Sequence, residues 1–457
     1  MTTEITTAAD QYARVMEPAK ERVTIRMLLD DETFSQSYDA IVDGFENRFN
    51  TQIEIDRLPW ERTYERALLE LTTDSDYFDI IGYDGTLGGP FGSLGKYVYL
   101  DDFAKERGYP SLTKNFYWRQ LEHGSVHDGK LFSIFTVYNN RCLFYRKDLM
   151  THLDERDNFQ SQNGYDLPVP VKTWAELRDV ATFFRRKPGD KLAGRVLQED
   201  FFGISMGMAV EASYENAFND RYHGLEPDEY EGNALTNWLW NLDTFEPVVN
   251  NPKALKALQD VVDLYNSGAV APGSLKKLWM DQMDDISKGR VVMMINWPGV
   301  ASSLTDKAVN PYADVMGYAP MPYWPERPGS RRIWGLSYPV GITKASKHKD
   351  EAYKWLWYAT QPEQAIRLMR TKKMPSVCQK GVLDNQELWN EFPLLEPQYK
   401  NAKDDIGTPT VAEWFQIWNG IGASVQRAAE KNIEAAKALE EAETLLRDLF
   451  KERGYLK

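Results

Sequence analysis

The sequence predicts an α/β fold in more than one domain. Strand and helix signals alternate regularly from Val23 onward. Each helical stretch carries a single apolar stripe, and at 457 residues the chain exceeds what one hydrophobic core usually organises. Val23–Leu29 reads as a strand, and Tyr38, Ile41, Val42, Phe45 and Phe49 then recur with helical spacing. Gln52–Leu58 alternates apolar and polar residues as a second strand. Trp60, Tyr64, Ala67, Leu68 and Leu71 form the next stripe, and Phe78–Ile81 the third strand. A β-α-β-α-β order with short links implies a parallel sheet covered by helices on both faces. Ligands of such sheets bind beyond the carboxyl ends of the strands, here at Asp30, Asp31 and Glu32, at Trp60, and at Tyr83-Asp84-Gly85.

His127-Asp128-Gly129-Lys130 carries the Asp-Gly hairpin signal. A run from Leu131 to Tyr138 follows, then Asn139-Asn140 and a strand from Cys142 to Tyr145, opening a second α/β region. Thr173-Trp174-Ala175-Glu176 is a capping box, and it predicts a helix with Leu177, Val180, Ala181 and Phe184 inward. Asn251-Pro252 opens another, with Leu255, Leu258, Val262 and Tyr265 inward and Gly268 as its stop. Arg290–Asn296 reads as a buried strand ending on Trp297-Pro298-Gly299. Helices close the chain: 350–359, one initiated by Pro362, 411–429 and 433–450. Leu439, Ala442, Leu446 and Leu449 form a packing seam on the last.

Composition excludes several functions. The formal charge is −14, so the long-range field repels polyanions and argues against a nucleic-acid partner. Two cysteines and five histidines leave little room for a zinc site, and neither a metal nor a cofactor is expected. Whether Cys142 and Cys378 form a disulfide depends on a separation that sequence does not contain. No stretch approaches the ~20 apolar residues of a membrane span. Aromatic residues reach 13%, many of them beside Asp, Asn, Gly or Pro rather than inside apolar runs.

The order of the motifs resembles the extracellular solute-binding proteins of bacterial ABC importers, in the carbohydrate-binding branch related to maltose-binding protein. Phe45-Glu46 with Gln52–Ile55, Tyr77–Ile81, Leu143-Phe144-Tyr145-Arg146-Lys147-Asp148-Leu149, Thr173–Leu177, Gly289–Met294 with Trp297, Met316–Pro322 and Thr343–Lys347 carry the likeness in sequence. The resemblance implies a two-lobe periplasmic-binding-protein fold of type II, with a ligand cleft between lobes joined by a multi-segment hinge. It places one lobe at 1–137 plus 336–358 and the other at 140–333 plus 360–457, with hinge segments near 138–140, 333–336 and 358–361. It also implies a monomer that captures a sugar or polyol and delivers it to permease transmembrane subunits served by a separate ATPase subunit. Residence is expected in the periplasm or at the cell surface, with the signal peptide removed from the chain as given.

A sugar presents hydroxyl edges and apolar C–H faces, so a site needs polar groups for the edges and rings for the faces. Asp84 beside Tyr83 stands at a strand end; Asp31 and Glu32 stand at another, where capping a helix is the plainer role. Trp297 is delivered to a strand end by the Pro-Gly after it, and the resemblance puts an aromatic platform there. Trp334-Gly335 falls at the expected crossing between lobes, with a glycine whose backbone can approach a ligand, and Tyr138-Asn139 at the first crossing. Trp414 and Trp418 lie four apart on one helix face, where core packing competes with a cleft role. Trp240 sits in a short polar stretch.

A carbohydrate-active enzyme such as a glycosidase is the rival reading. It needs two carboxyls about 5 to 9.5 Å apart, and no catalytic signature marks such a pair. The same fold binding a polyamine or other small cation is a further alternative, because an acidic aromatic cage suits a cation. Iron-binding relatives use adjacent tyrosines, and no Tyr-Tyr pair occurs here. An enzyme is not expected.

Overall fold

The computed structural model describes residues 7–31, 33–122, 124–225, 239–241, 243–331, 333–372, 377–402 and 411–456. Its principal strands in chain order are β1 (Val23–Asp30), β2 (Thr51–Leu58), β3 (Ile80–Gly82), β4 (Tyr138–Asn140), β5 (Cys142–Arg146), β6 (Phe202–Ser205), β7 (Val291–Asn296), β8 (Met316–Ala319), β9 (Gly335–Ser337) and β10 (Val340–Ile342). The chain divides into two compact units. The first takes the described residues up to Asn139, then Gly335–Leu388 and Val411–Trp414; the second takes Asn140–Trp334, Trp389–Ala402 and Phe415 onward. The chain passes from one unit to the other at 139/140, at 334/335 and after Leu388, and the helices Lys349–Ala359 and Pro362–Lys372 both belong to the first unit.

In the first unit the sheet order is β10-β3-β1-β2. β1 runs parallel to both β2 and β3, in register Val23 with Thr51 and Met27 with Ile80. The wholly parallel expectation fails at the edge: β10 is antiparallel to β3, since the chain re-enters this unit late and runs the other way. The helix Asp39–Phe49 buries Ile41, Phe45 and Phe49 as its stripe predicts. On the helix Trp60–Thr72, Leu68 is exposed and Thr63 is buried instead, its hydroxyl donating to the Leu58 carbonyl at 2.9 Å. The helix Lys349–Ala359 is buried over eight residues and sets Trp355 against Phe45 at 5.1 Å. Much of the aromatic surplus is therefore core. The Asp-Gly hairpin forms: Val126–His127 pairs antiparallel with Lys130–Leu131, and Asp128 and Gly129 take φ of 50° and 72°.

In the second unit the order is β6-β7-β5-β8. β7 is parallel to β6 and antiparallel to β5, which is antiparallel to β8. All six residues of β7 are buried, as a central strand requires. The Thr173/Glu176 capping box closes in both directions at 3.1 Å. Leu177, Val180, Ala181 and Phe184 are fully buried behind it. Asn251 caps the helix Pro252–Asn266. The inward face of that helix is rotated from the expected one: Leu255 is exposed, while Ala254, Ala257, Leu258, Val261 and Leu264 are buried. The buried face includes two alanines, which a count of large apolar residues overlooks, and the helix packs on the C-terminal helix Ala435–Glu452 among others. On that last helix Leu439, Ala442, Leu446 and Leu449 are buried, as expected. Cys142 and Cys378 are both buried, and no disulfide joins them.

Candidate functional site

In the first unit the strand ends provide capping and core groups. Asp84 caps the short 3₁₀ helix Gly85–Leu87; its carboxylate accepts from the Thr86 backbone at 2.9 Å and the Thr86 hydroxyl at 2.5 Å. The glycine-rich turn around it has a packing reason. A methyl group at Gly124, which sits at φ 84°, would overlap the Gly85 backbone, and one at Gly88 would overlap Gly124. Tyr83, expected at the site from its place at a strand end, is packed as a core residue. Its ring lies 5.1 Å from Phe91 and 6.1 Å from Phe132, and its hydroxyl meets the Gly124 carbonyl at 2.9 Å and Ser133 at 2.6 Å. Burial pushes its phenol well above the usual range, so it stays neutral. Asp31 is exposed; its backbone N–H donates to the Leu58 carbonyl at 2.9 Å and its carboxylate accepts from Gln36 at 3.4 Å, while Glu32 lies outside the described residues.

The neighbouring Asp30 is the buried one. With Ser35, Tyr38, Tyr83, Thr136 and Tyr338 it lines a small cavity at the carboxyl ends of β1 and β3. Its volume of about 20 Å³ fits one water molecule rather than a sugar ring. Tyr138 and Asn139 are both buried, and the Asn139 amide oxygen meets no donor among the described residues. Gly335 is occupied from the same side. A methyl group there would overlap the hydroxyl and ring of Tyr138, so this glycine admits a tyrosine ring where a ligand was expected. Gly335→Ala is expected to destabilise the chain by about 1–3 kcal/mol, because Tyr138 is held against Phe135 at 5.8 Å and has little room to move. A denaturant titration checks it.

The second unit brings three predicted rings together. Trp334 stands between Trp297 and Trp418, edge to face with each, at centroid distances of 6.1 and 5.4 Å. Trp334 is 1% exposed, whereas Trp297 and Trp418 keep 6% and 9%. The Trp418 indole N–H donates to the Glu211 carbonyl at 2.6 Å, and Phe415 stacks on the same ring at 5.6 Å. The helix carrying Trp418 approaches closely because residue 422 is glycine; a methyl there would overlap the Val210 carbonyl. Trp414, at the start of that helix, is buried to 1%. Trp240 is a core residue: it is 3% exposed and packs edge to face on Phe450 at 5.0 Å.

Behind the rings lies a charge pair that the sequence reading missed. Arg141 is fully buried, and its guanidinium sits 4.9 Å from the Trp297 ring centroid. It donates to Asn216 at 3.0 Å and to the Asp220 carboxylate at 2.8 Å. The same carboxylate oxygen accepts the Trp334 backbone N–H at 3.2 Å. Burial pushes the Asp220 carboxyl above its ordinary range, with Arg141 pulling against it. Asn216 lies in Ser213–Asn219, which is wound as a π-helix with every residue buried, a distortion common at functional positions, and Asp220 opens the short α-helix that continues it. No sequence signal marks this, since Asn216 and Asp220 read as ordinary solvated residues. Among the described residues no three Cys, His, Asp or Glu side chains are grouped to hold a metal.

Residues 31–366 match the bacterial extracellular solute-binding proteins. The chain is 23% identical over 422 residues to a probable ABC transporter-binding protein of Deinococcus radiodurans, covering 90% of each chain. It is 20% identical over 410 residues to a probable amino-acid ABC transporter periplasmic-binding protein of Sinorhizobium fredii, covering 89% of this chain and 84% of that one. Its fold is similar to the crystal structure of a cyclic α-maltosyl-1,6-maltose binding protein from Arthrobacter globiformis, with a TM-score of 0.72 at 18% identity, covering 95% of this chain and all of the other.

Proposed function

Because the chain belongs to the bacterial extracellular solute-binding proteins and so serves an ABC transporter as its solute-binding component, we propose that its solute is a neutral sugar or polyol. Capture of the solute and its delivery to a membrane permease with a separate ATPase then follow the habit of the family. The observation that carries the ligand class is the convergence of Trp297, Trp334 and Trp418 in the second unit. Planar rings suit the apolar faces of a sugar, and indole and asparagine groups suit its edges. Trp297 and Trp418, the two rings with remaining exposure, are the ligand-facing ones in this reading; Trp334 wedges between them and sets their spacing. The charges behind them are paired internally, Arg141 with Asp220, which favours an uncharged ligand over a polyamine. The saccharide named for the Arthrobacter structure agrees with the sugar reading; the amino acid named for the Sinorhizobium relative is the competing one.

A thermal-shift panel of saccharides, polyols, amino acids and polyamines tests this. A solute that binds only the folded chain stabilises it by about 2.7 kcal/mol at a hundredfold excess over Kd. A shift confined to amino acids or polyamines would overturn the reading. For a saccharide that does shift the chain, Trp297→Ala is expected to weaken binding by at least ~1 kcal/mol, as read by calorimetry. Unchanged affinity removes Trp297 from the ligand surface. Chromatography after prolonged incubation with that saccharide should return it intact; a hydrolysis product would favour the glycosidase alternative.

A further inference from the structure

We propose that Arg141 and Asp220 are positioning residues that fix the angles of Trp297 and Trp334, so that the affinity of the ring surface depends on an ion pair that need not touch the solute. The ligand half of this statement rests on the saccharide reading above; the ring-positioning half does not.

Each member of the pair holds one ring. The Arg141 guanidinium lies 4.9 Å from the centre of Trp297, and its two terminal nitrogens are tied to Asn216 and Asp220 at 3.0 and 2.8 Å. A guanidinium tied at both ends of its fork cannot rotate freely, so the ring resting on it is restrained too. Asp220 uses the same oxygen to take the Trp334 backbone N–H at 3.2 Å, which fixes the chain at the base of the second ring. Trp297 and Trp334 then meet edge to face, 6.1 Å apart at 68°. Such a geometry is one of the favoured aromatic arrangements, but packing alone permits others. All the groups named lie in the second unit, and Arg141 and Asp220 are 0% and 3% exposed. Neither is placed for surface electrostatics.

The experiment pairs near-ultraviolet circular dichroism of the ligand-free chain with calorimetry, using maltose and mannitol as probes. Tryptophan pairs at close range give bands that report their mutual orientation. Asp220→Asn keeps the shape and removes the charge; Arg141→Lys keeps the charge and removes the planar fork. Both should alter the tryptophan bands and weaken binding of whichever probe the wild-type chain binds by about fivefold or more. Ile25→Ala serves as the control. It removes a fully buried side chain of β1 in the first unit, so it lowers the melting temperature while leaving the bands of the three rings and the affinity as in wild type. Bands unchanged in both Asp220→Asn and Arg141→Lys overturn the proposal. So does an altered spectrum with unaltered affinity for a bound probe, or an Ile25→Ala variant that reproduces both changes. Wild-type chain that binds no saccharide or polyol overturns the ligand half together with the saccharide reading, while the spectra still decide the ring-positioning half.

Discussion

Arg141→Ala is expected to destabilise the chain by about 3–5 kcal/mol, read as a lowered denaturant midpoint with an unchanged slope. Removing the guanidinium leaves the Asp220 carboxylate 3% exposed with its main counter-charge gone and the Asn216 carbonyl without its donor. The lost interaction is only part of the effect. The larger part is a charge left in a medium that solvates it poorly, which water would have to enter to relieve. Replacing both partners separates these contributions. Arg141→Met with Asp220→Leu removes the charge and its counter-charge together, and it should recover much of the loss. A double variant as unstable as Arg141→Ala alone would show that packing, not charge, dominates at this position.

Trp334→Ala is the second large effect, about 3–5 kcal/mol for deleting a buried indole, and it should also abolish saccharide binding. The ring is 1% exposed and stands between Trp297 and Trp418, so its removal opens a cavity whose two walls are the rings proposed to face the ligand. Those rings then lose the contact that spaces them. Trp334→Phe keeps an aromatic wedge of smaller size and should regain part of the stability and part of the affinity. Loss of stability without loss of affinity in Trp334→Ala would separate this ring from the site.

The outcome for individual residues shows what could be read in advance. Thr173, Glu176, Asn251, Pro252 and the Asp128-Gly129 turn did what their local chemistry requires, because caps and turns depend on residues only a few positions apart. Leu68 and Leu255 were misplaced, since the inward face of a helix is decided by what it meets; Thr63 and the alanines at 254 and 257 proved the better fit. Asp84 and Tyr83 have the residue types of a sugar site and the address of one, yet a neighbouring backbone and a ring cluster already use them. Composition and address are shared by cap, core and site, so they do not separate the three.

From the sequence alone, the alternation of strand and helix and the order of the motifs determined the α/β class and the family, because periodicity and local caps act over one or two turns. Tertiary structure decided which aromatic residues converge and what holds them. Trp297, Trp334 and Trp418 come from a strand end, a crossing and a late helix, and Arg141 and Asp220 are 79 positions apart. Contacts at such separations are fixed by how the sheet and helices pack, and a charged residue destined for burial carries no local mark to distinguish it from one that stays in water.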